Sequence, residues 1–262
     1  MKLSIVIPVY NSEKILPTLS QSIFKNISNE IKKFEIIFVN DFSQDNSWKV
    51  IYNLSKKKKY IKGIDLKKNY GQHYAIFMGL KFAKGEKIVC MDDDMQHDPS
   101  YIKKIFQKIR EGNEVCYVRY LGRKHNIFKI FISWLNNIVS SYLMSKSSKI
   151  YTSSFKGFNK NIKNKIIKNS SDFIFLDYWI FKYGKKIEAI DVYHKKRFKG
   201  DSNYKLRQLI TLWSNMIFLI DVKKKNLRTF MIIFLKFLFK LFFKNYINYE
   251  KSRKILIRSK TF

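Results

Sequence analysis

Apolar and polar positions follow two rhythms along the first half of the chain. Residues 3–9 form an apolar run containing Pro8 and read as a buried strand. Residues 12–27 carry Ile15, Leu19, Ile23 and Ile27 at helical spacing. A second strand is expected at 34–39, then a helix that Asp45 caps and that runs to about 55. Residues 61–66 read as a third strand and 70–83 as a third helix ending near Gly85. Residues 87–91 make a fourth strand. The helix at 99–110 has Pro99 in its first turn and Gly112 as its stop, and 115–120 is a fifth strand.

Strands alternating with helices through short connections predict an α/β domain: a Rossmann-like, mostly parallel sheet with helices on both faces. Ligands in such sheets sit beyond the carboxyl ends of the strands. The polar stretches 10–13, 40–45, 67–72 and 92–98 fall there. After residue 120 the alternation breaks. Helices are expected at 128–144, 161–169, 172–183 and 206–222, and strands at 151–158 and 186–193. The segment 227–245 is apolar except for Lys236, Lys240 and Lys244, which recur every fourth residue and so form one stripe. The expected division is a domain at 1–222 and a basic, amphipathic helical extension at 223–262.

Composition narrows the partners. A net charge of +32 calls for something acidic: nucleic acid, an anionic membrane or a phosphorylated substrate. No nucleic-acid recognition motif is present, and the acidic triplet described below would repel such a partner, so nucleic acid is not expected. Cys90 and Cys116 each lie inside a strand-like run, which argues for buried thiols and a reducing compartment over a disulfide or zinc site. The N-terminus runs directly into a strand, with no signal-peptide pattern. The longest apolar stretch, at 229–243, is interrupted by Lys236 and Lys240 and falls short of the roughly 18 consecutive apolar residues that mark a spanning helix. The chain is therefore expected in the cytoplasm, at the inner face of the membrane.

The chemistry centres on Asp92-Asp93-Asp94-Met95-Gln96, between a strand and a helix that opens with Pro99. Adjacent carboxylates repel one another, so a bound cation is the natural compensation. Oxygen ligands suit a hard ion, Mg²⁺ or Mn²⁺, of the kind that bridges to phosphates. An acidic turn capping the next helix is the plainer alternative.

Four segments then carry a resemblance: 8–13 (Pro-Val-Tyr-Asn-Ser-Glu), 39–45 (Val-Asn-Asp-Phe-Ser-Gln-Asp), 69–73 (Asn-Tyr-Gly-Gln-His) and 92–97 (Asp-Asp-Asp-Met-Gln-His). In this order and spacing they resemble family-2 glycosyltransferases of GT-A fold, in the branch that transfers sugars to dolichyl or undecaprenyl phosphate. The resemblance continues through 197–204 and covers about 1–222. It implies that Pro8, Tyr10, Asn11 and Glu13 line the base and ribose of a nucleotide-sugar donor. Asp41 would accept a hydrogen bond from the base, Gly71 and Gln72 would open a helix beside the donor, and Asp93 would join the donor site. Asp92, Asp94 and Gln96 match the metal-binding Asp-x-Asp-x-Gln. Arg119, Lys129 and Arg197 match positions that hold donor and acceptor phosphates, and Ser202 and Tyr204 lie in the acceptor-side loop. The implied reaction moves a sugar to a polyprenyl phosphate, with inversion. Asp94, Arg119, Lys129 and Arg197 form the catalytic set.

The chain departs from the family pattern at several places. Phe42 replaces a Gly at a position where positive φ would strain a Phe. Lys129 stands for an Arg and Asn203 for a frequent Lys, no acid occupies 150–152, and no segment matches the two C-terminal spanning helices of many relatives. Transfer to a sugar hydroxyl of a surface glycan is the near rival, with Asp177 as its candidate general base. A degenerate, non-catalytic membrane-binding relative is another. His73 reads as a helix-face residue, His97 as a helix cap beside the metal loop, His194 as a neighbour of the acceptor loop, and Lys56 to Lys59 as a solvated helix end. The extension reads as a helix lying in a membrane interface, with its lysines toward anionic headgroups.

Overall fold

The computed structural model describes residues 2–121, 137, 138, 140–142, 144, 147, 150–169, 175–193, 217, 227–242 and 256–262. The strands are β1 (Leu3–Val9), β2 (Phe34–Asn40), β3 (Ile61–Leu66), β4 (Lys87–Cys90), β5 (Val115–Leu121), β6 (Lys156–Asn159), β7 (Ile187–Tyr193) and β8 (Ile257–Lys260). The helices are α1 (Leu16–Ile27), α2 (Ser47–Lys57), α3 (Gln72–Phe82), α4 (Tyr101–Arg110), α5 (Lys160–Asn169), α6 (Leu176–Tyr183) and α7 (Leu227–Phe242). Described residues between 137 and 144 are also helical, as is Ile217.

One sheet holds all eight strands in the order β7-β5-β6-β4-β1-β2-β3-β8. β1 pairs in parallel with β2 and β4, β2 with β3, and β5 with β7. β1 and β2 are buried along their whole length because helices cover both faces. Alternate side chains feed two cores. Val6, Ile37, Val39 and Ile88 pack with α3, α5 and α6, while Ile5, Ile7, Ile36 and Phe38 pack with α1, α2 and α4. In α4 the buried Ile102, Ile105 and Ile109 recur at helical spacing, each worth about 2 kcal/mol on burial. α3 is buried almost all round, from Tyr74 to Leu80, which marks it as the central helix of its layer.

Two strands run against the others. β6 lies between β4 and β5 and is antiparallel to both, so β4 and β5 are not neighbours. Its Gly157 is required by close packing, since a Cβ there would sit 2.3 Å from Ile105 Cγ2. β8 is antiparallel to β3 and closes the far edge. The expected extension at 223–262 therefore does not stay apart from the sheet: its helix is present as α7, but residues 256–262 return to the α/β layer. The helix expected at 206–222 lies outside the described residues except for Ile217.

A buried polar cluster pins α6 to the sheet. Lys156 Nζ forms an ion pair with Asp177 Oδ1, and Tyr117 Oη donates to the same oxygen at 2.7 Å. Both charged side chains are almost fully enclosed. Asp177, the candidate general base, is thereby committed to Lys156 and Tyr117, and it is absent from the lining of the cleft described below. Replacing Asp177 with Asn leaves the Lys156 ammonium buried without its counter-charge, at a cost of about 3–5 kcal/mol. Urea unfolding is expected to show that loss, and Lys156→Met added to Asp177→Asn is expected to recover much of it. A stability matching wild type in the single variant would contradict the assignment.

His73, on α3, stacks at a tilt against Phe175 with ring centres 4.8 Å apart, and its Nδ1 faces the Leu176 N–H at 3.4 Å. Burial lowers its pKa to about 4, with the nearby Lys156 charge adding to the effect and Asp177 and Asp92 opposing it. The unfolded chain, with an ordinary His pKa near 6.5, takes up a proton first as pH falls. Stability is present above about 6.5 and is lost as pH falls toward 4. The loss at pH 5 is at most about 2 kcal/mol, since the ring keeps some contact with solvent. Urea titrations at pH 7 and pH 5 should show this slope in wild type and a flatter one in His73→Phe.

Candidate functional site

The loops that follow β1, β2, β3 and β4 meet at the carboxyl edge of the sheet. They enclose a cleft of about 380 Å³ lined by Pro8, Val9, Tyr10, Asp41, Asn69, Gly71, Gln72, Asp92, Asp93 and Asp94. That is within the size range of small-molecule sites. Pro8, Tyr10, Asp41, Gly71, Gln72 and the three aspartates were expected here from the sequence. Four carboxylates line the cleft and, among the described residues, no Lys or Arg does, although the chain carries +32 overall.

Each carboxylate is held by identifiable donors. Asp41 Oδ1 accepts the Tyr70 N–H and Oδ2 the Gly71 N–H, both at 2.7 Å. Gly71 has φ 90°, which a side chain would resist, so glycine allows the N–H to point at Asp41. Burial pushes the Asp41 pKa up, against the pull of these two N–H groups. Asp93 Oδ2 accepts Ser12 Oγ at 2.6 Å and the Tyr10 N–H at 3.2 Å. Burial raises its pKa to about 6, with Asp92 and Asp94 adding to the rise and the Ser12 hydroxyl and Tyr10 N–H opposing it.

Asp92 is gripped from both sides: Gln72 Nε2 donates to Oδ1 at 2.5 Å, and Ser154 Oγ donates to Oδ2 at 2.6 Å. Its N–H donates to His97 Nδ1 at 3.0 Å, while His97 lies stacked between Phe155 and Tyr120. His97 thus orients the acidic loop, a more specific task than a helix cap. Asp94 Oδ1 accepts the Gln96 N–H at 3.1 Å. Gln96 is partly exposed and does not line the cleft.

Asn11 and Glu13 do not line it either. Asn11 Oδ1 accepts the Gln44 N–H at 2.8 Å, and Glu13 Oε2 accepts the Asn46 N–H at 2.9 Å. These bonds tie the loop after β1 to the loop after β2. The non-glycine residues with positive φ among those described are Asn11, Phe42 and Met95, all in loops at this edge. Each such residue costs of order 1–3 kcal/mol, and such strain clusters at functional sites.

Arg119, expected at a phosphate-holding position, is paired instead with Asp191, which sits directly across from it on β7 and accepts from its Nε at 2.5 Å and Nη2 at 2.7 Å. The pair is exposed and outside the cleft lining. Lys129, His194, Arg197, Ser202 and Tyr204 lie outside the described residues. Ser154 and Asn69 were not named as site residues. Asn69 sits within a motif already recognised, whereas nothing local in the sequence pairs Ser154 with Asp92, which is 62 residues away.

Comparison with known proteins places this geometry. Residues 4–171 match the sequence model of glycosyl transferase family 2. The undecaprenyl-phosphate 4-deoxy-4-formamido-L-arabinose transferase of Proteus mirabilis is 29% identical over 217 residues, which is 82% of this chain and 67% of that protein. The fold is similar to that of the Mycobacterium tuberculosis glucosyl-3-phosphoglycerate synthase in complex with Mn²⁺, UDP and phosphoglyceric acid (TM-score 0.61, 14% identity, 82% of this chain and 78% of that one). It is also similar to the Pyrobaculum calidifontis mannosyltransferase PcManGT in complex with GDP-Man and Mn²⁺ (TM-score 0.62, 12% identity, 91% and 69%). With the family model spanning well over half of its length, the chain belongs to glycosyl transferase family 2 and has the GT-A fold of a glycosyltransferase.

Proposed function

We propose that the protein transfers a sugar from a nucleotide-sugar donor to a polyprenyl phosphate at a membrane surface, with inversion at the anomeric carbon. The observation that carries this reading is a nucleotide-sized cleft lined by four carboxylates and, among the described residues, by no cation. A diphosphate enters such a cleft only with a cation beside it. Asp92 and Asp94 would hold a divalent metal, with Gln96 from the same loop. Such an ion would complete its shell with phosphate oxygens of the donor. When bound, Mg²⁺ or Mn²⁺ supplies charge compensation for the departing nucleoside diphosphate.

The protein's own groups do the rest. The half-exposed Tyr10 ring at the mouth offers a face for a base to stack on, and Asp41 keeps lone pairs on both oxygens for a base N–H. Gln72 and Ser154 fix the plane of the Asp92 carboxylate, and Ser12 fixes Asp93. A phosphate acceptor is already ionised at neutral pH and needs no general base, whereas a sugar hydroxyl does. The engagement of Asp177 with Lys156 supports the phosphate acceptor, as does the name of the Proteus mirabilis relative. Arg197 and Lys129 remain the proposed phosphate-holding cations, and Ser202 and Tyr204 the acceptor-side residues.

The assay pairs purified protein with a panel of UDP- and GDP-sugars, with and without undecaprenyl phosphate and Mn²⁺. Product is expected only with the lipid phosphate. Asp94→Ala is expected to lose at least about 100-fold in rate, and excess chelator to abolish turnover. Undiminished rates in both would rule out the metal reading. Transfer to sugar hydroxyls alone would rule out the lipid acceptor.

Helix α7 supports the membrane reading. Ile233, Phe234, Phe237 and Leu241 are all more than half exposed and share one side of the helix, within about 100° at roughly 100° per residue. Exposed Lys240 and partly exposed Lys236 border that stripe. At about 1.5 Å per residue the helix is about 24 Å long, short of the roughly 30 Å hydrocarbon layer. No helix among the described residues is long and apolar enough to cross a membrane. The stripe fits the plane of an interface, apolar side inward and lysines at the headgroups. Full-length protein should co-sediment with anionic liposomes, less so at high salt. Phe234→Glu with Phe237→Glu should lose most of that binding, and retention of full binding would remove α7 as the anchor.

A further inference from the structure

Strand β8 does more than close the sheet. Its pairing with β3 slips between Asp65 and Leu66: Asp65 faces Ser259 while Leu66 faces Ile257, so Arg258 is the extra residue of a bulge. Bulges re-aim the side chain they carry. Arg258 Nε donates to Asp65 Oδ2 at 2.6 Å, and its guanidinium carbon lies 5.8 Å from the centre of the Phe42 ring. Asp65 is fully buried, and its other oxygen accepts Asn40 Nδ2 at 2.8 Å. Asn40 Oδ1 in turn faces the Ser43 N–H at 3.4 Å.

Arg258 therefore touches the turn at 40–43 twice. It holds the foot of the turn through Asp65 and Asn40, and it packs on Phe42, which sits at φ 61°. Asp41, inside that turn, lines the cleft. Two residues earlier, the Leu256 N–H donates to Tyr70 Oη at 3.0 Å, and Leu256 O accepts the Lys67 N–H at 2.9 Å. Tyr70 and Gly71 are the residues whose N–H groups hold Asp41. Residues 256–258 thus brace both loops that aim this carboxylate.

We propose that Arg258 is a positioning residue for the nucleoside end of the donor: it holds the strained Phe42 turn so that Asp41 keeps its aim. This rests on the reading that the cleft takes a nucleotide-sugar. It also accounts for Phe42. Where a Gly would adopt positive φ without strain, this chain has a Phe and a cation that packs on it.

The experiment uses the full chain with Arg258→Ala, Arg258→Lys, Lys260→Ala, and Arg258→Ala combined with Phe42→Gly. Lys260 lies on the same strand but packs over Phe82, away from the cleft, and serves as the control. Calorimetric titration with UDP and with GDP, each with MnCl₂, reads the nucleoside end directly. Arg258→Ala should weaken the nucleotide that wild type binds by about tenfold, because the strained Phe42 turn that aims Asp41 loses its brace. Donor KM should rise by a similar factor, while kcat changes by less than about twofold. Arg258→Lys, which keeps the charge but loses the planar fork, should fall between. Adding Phe42→Gly to Arg258→Ala should restore much of the affinity, which a merely structural role for Arg258 would not allow. Unchanged affinity in Arg258→Ala, or an equal loss in Lys260→Ala, would overturn the proposal.

Hydrogen exchange of the nucleotide-free protein separates this inference from the donor reading. Faster exchange confined to 40–45 and 69–71 in Arg258→Ala supports the brace even if wild type binds neither nucleotide. Exchange that is unchanged, or that rises evenly along the chain, overturns it.

Discussion

Carboxylates gathered at one edge of the sheet are the constraint around which this fold is arranged. Asp41, Asp92, Asp93 and Asp94 line one cleft, and Asp65 lies fully buried beneath the neighbouring turn. Leaving any of them unpaired would cost desolvation and mutual repulsion. The chain answers with donors drawn from many elements: backbone N–H groups after β1 and β3, the Ser12 and Ser154 hydroxyls, the Gln72 amide and the Arg258 guanidinium. Loop strain is concentrated at the same edge, at Asn11, Phe42 and Met95. At the opposite edge the buried Glu35 shows the contrasting solution. Burial pushes its pKa up, but Lys62, Ser4 and the Lys84 N–H outweigh that and hold it low.

Legibility from the sequence followed the range of the interaction. β1 and β3 begin and end where the sequence placed them, at 3–9 and 61–66. The helix expected from residue 12 starts at Leu16, because 12–15 form the turn that binds Ser47 and Asp45. The acidic loop and its neighbours were readable because each motif is contiguous. Partnerships across the sheet were not. Arg119 and Asp191 are 72 positions apart, and Arg258 and Asp65 are 193 apart. Nothing periodic links them. β8 itself is four residues amid basic neighbours, too short and too mixed to read as a strand.

The division at residue 222 was drawn from the lysine-striped apolar segment at 227–245 and from where the resemblance ends, and that pattern was only half informative there. Phenylalanine and lysine mark α7 as a helix that keeps an apolar side exposed. They conceal the return of the chain, whose residues 256–262 belong to the sheet by hydrogen bonding: Gly63 N donates to Thr261 Oγ1 at 2.8 Å, and Thr261 N to Gly63 O at 3.1 Å. A proposed membrane contact and the brace on Asp41 therefore belong to one continuous stretch of chain, and removing the stretch would disturb both.

β8 has a consequence for how the protein is made. The outer edge of β3 is a row of backbone donors and acceptors on a largely buried strand, the kind of surface that recruits strands from other molecules. Residues 256–262 are synthesised long after Ile61–Leu66 has left the ribosome. Through most of synthesis the sheet has an open side, and only the arrival of β8 closes it. Chains released before that point would retain most of both cores yet present a bare strand to one another, so premature termination would produce sheet-edge association rather than a loosened fold.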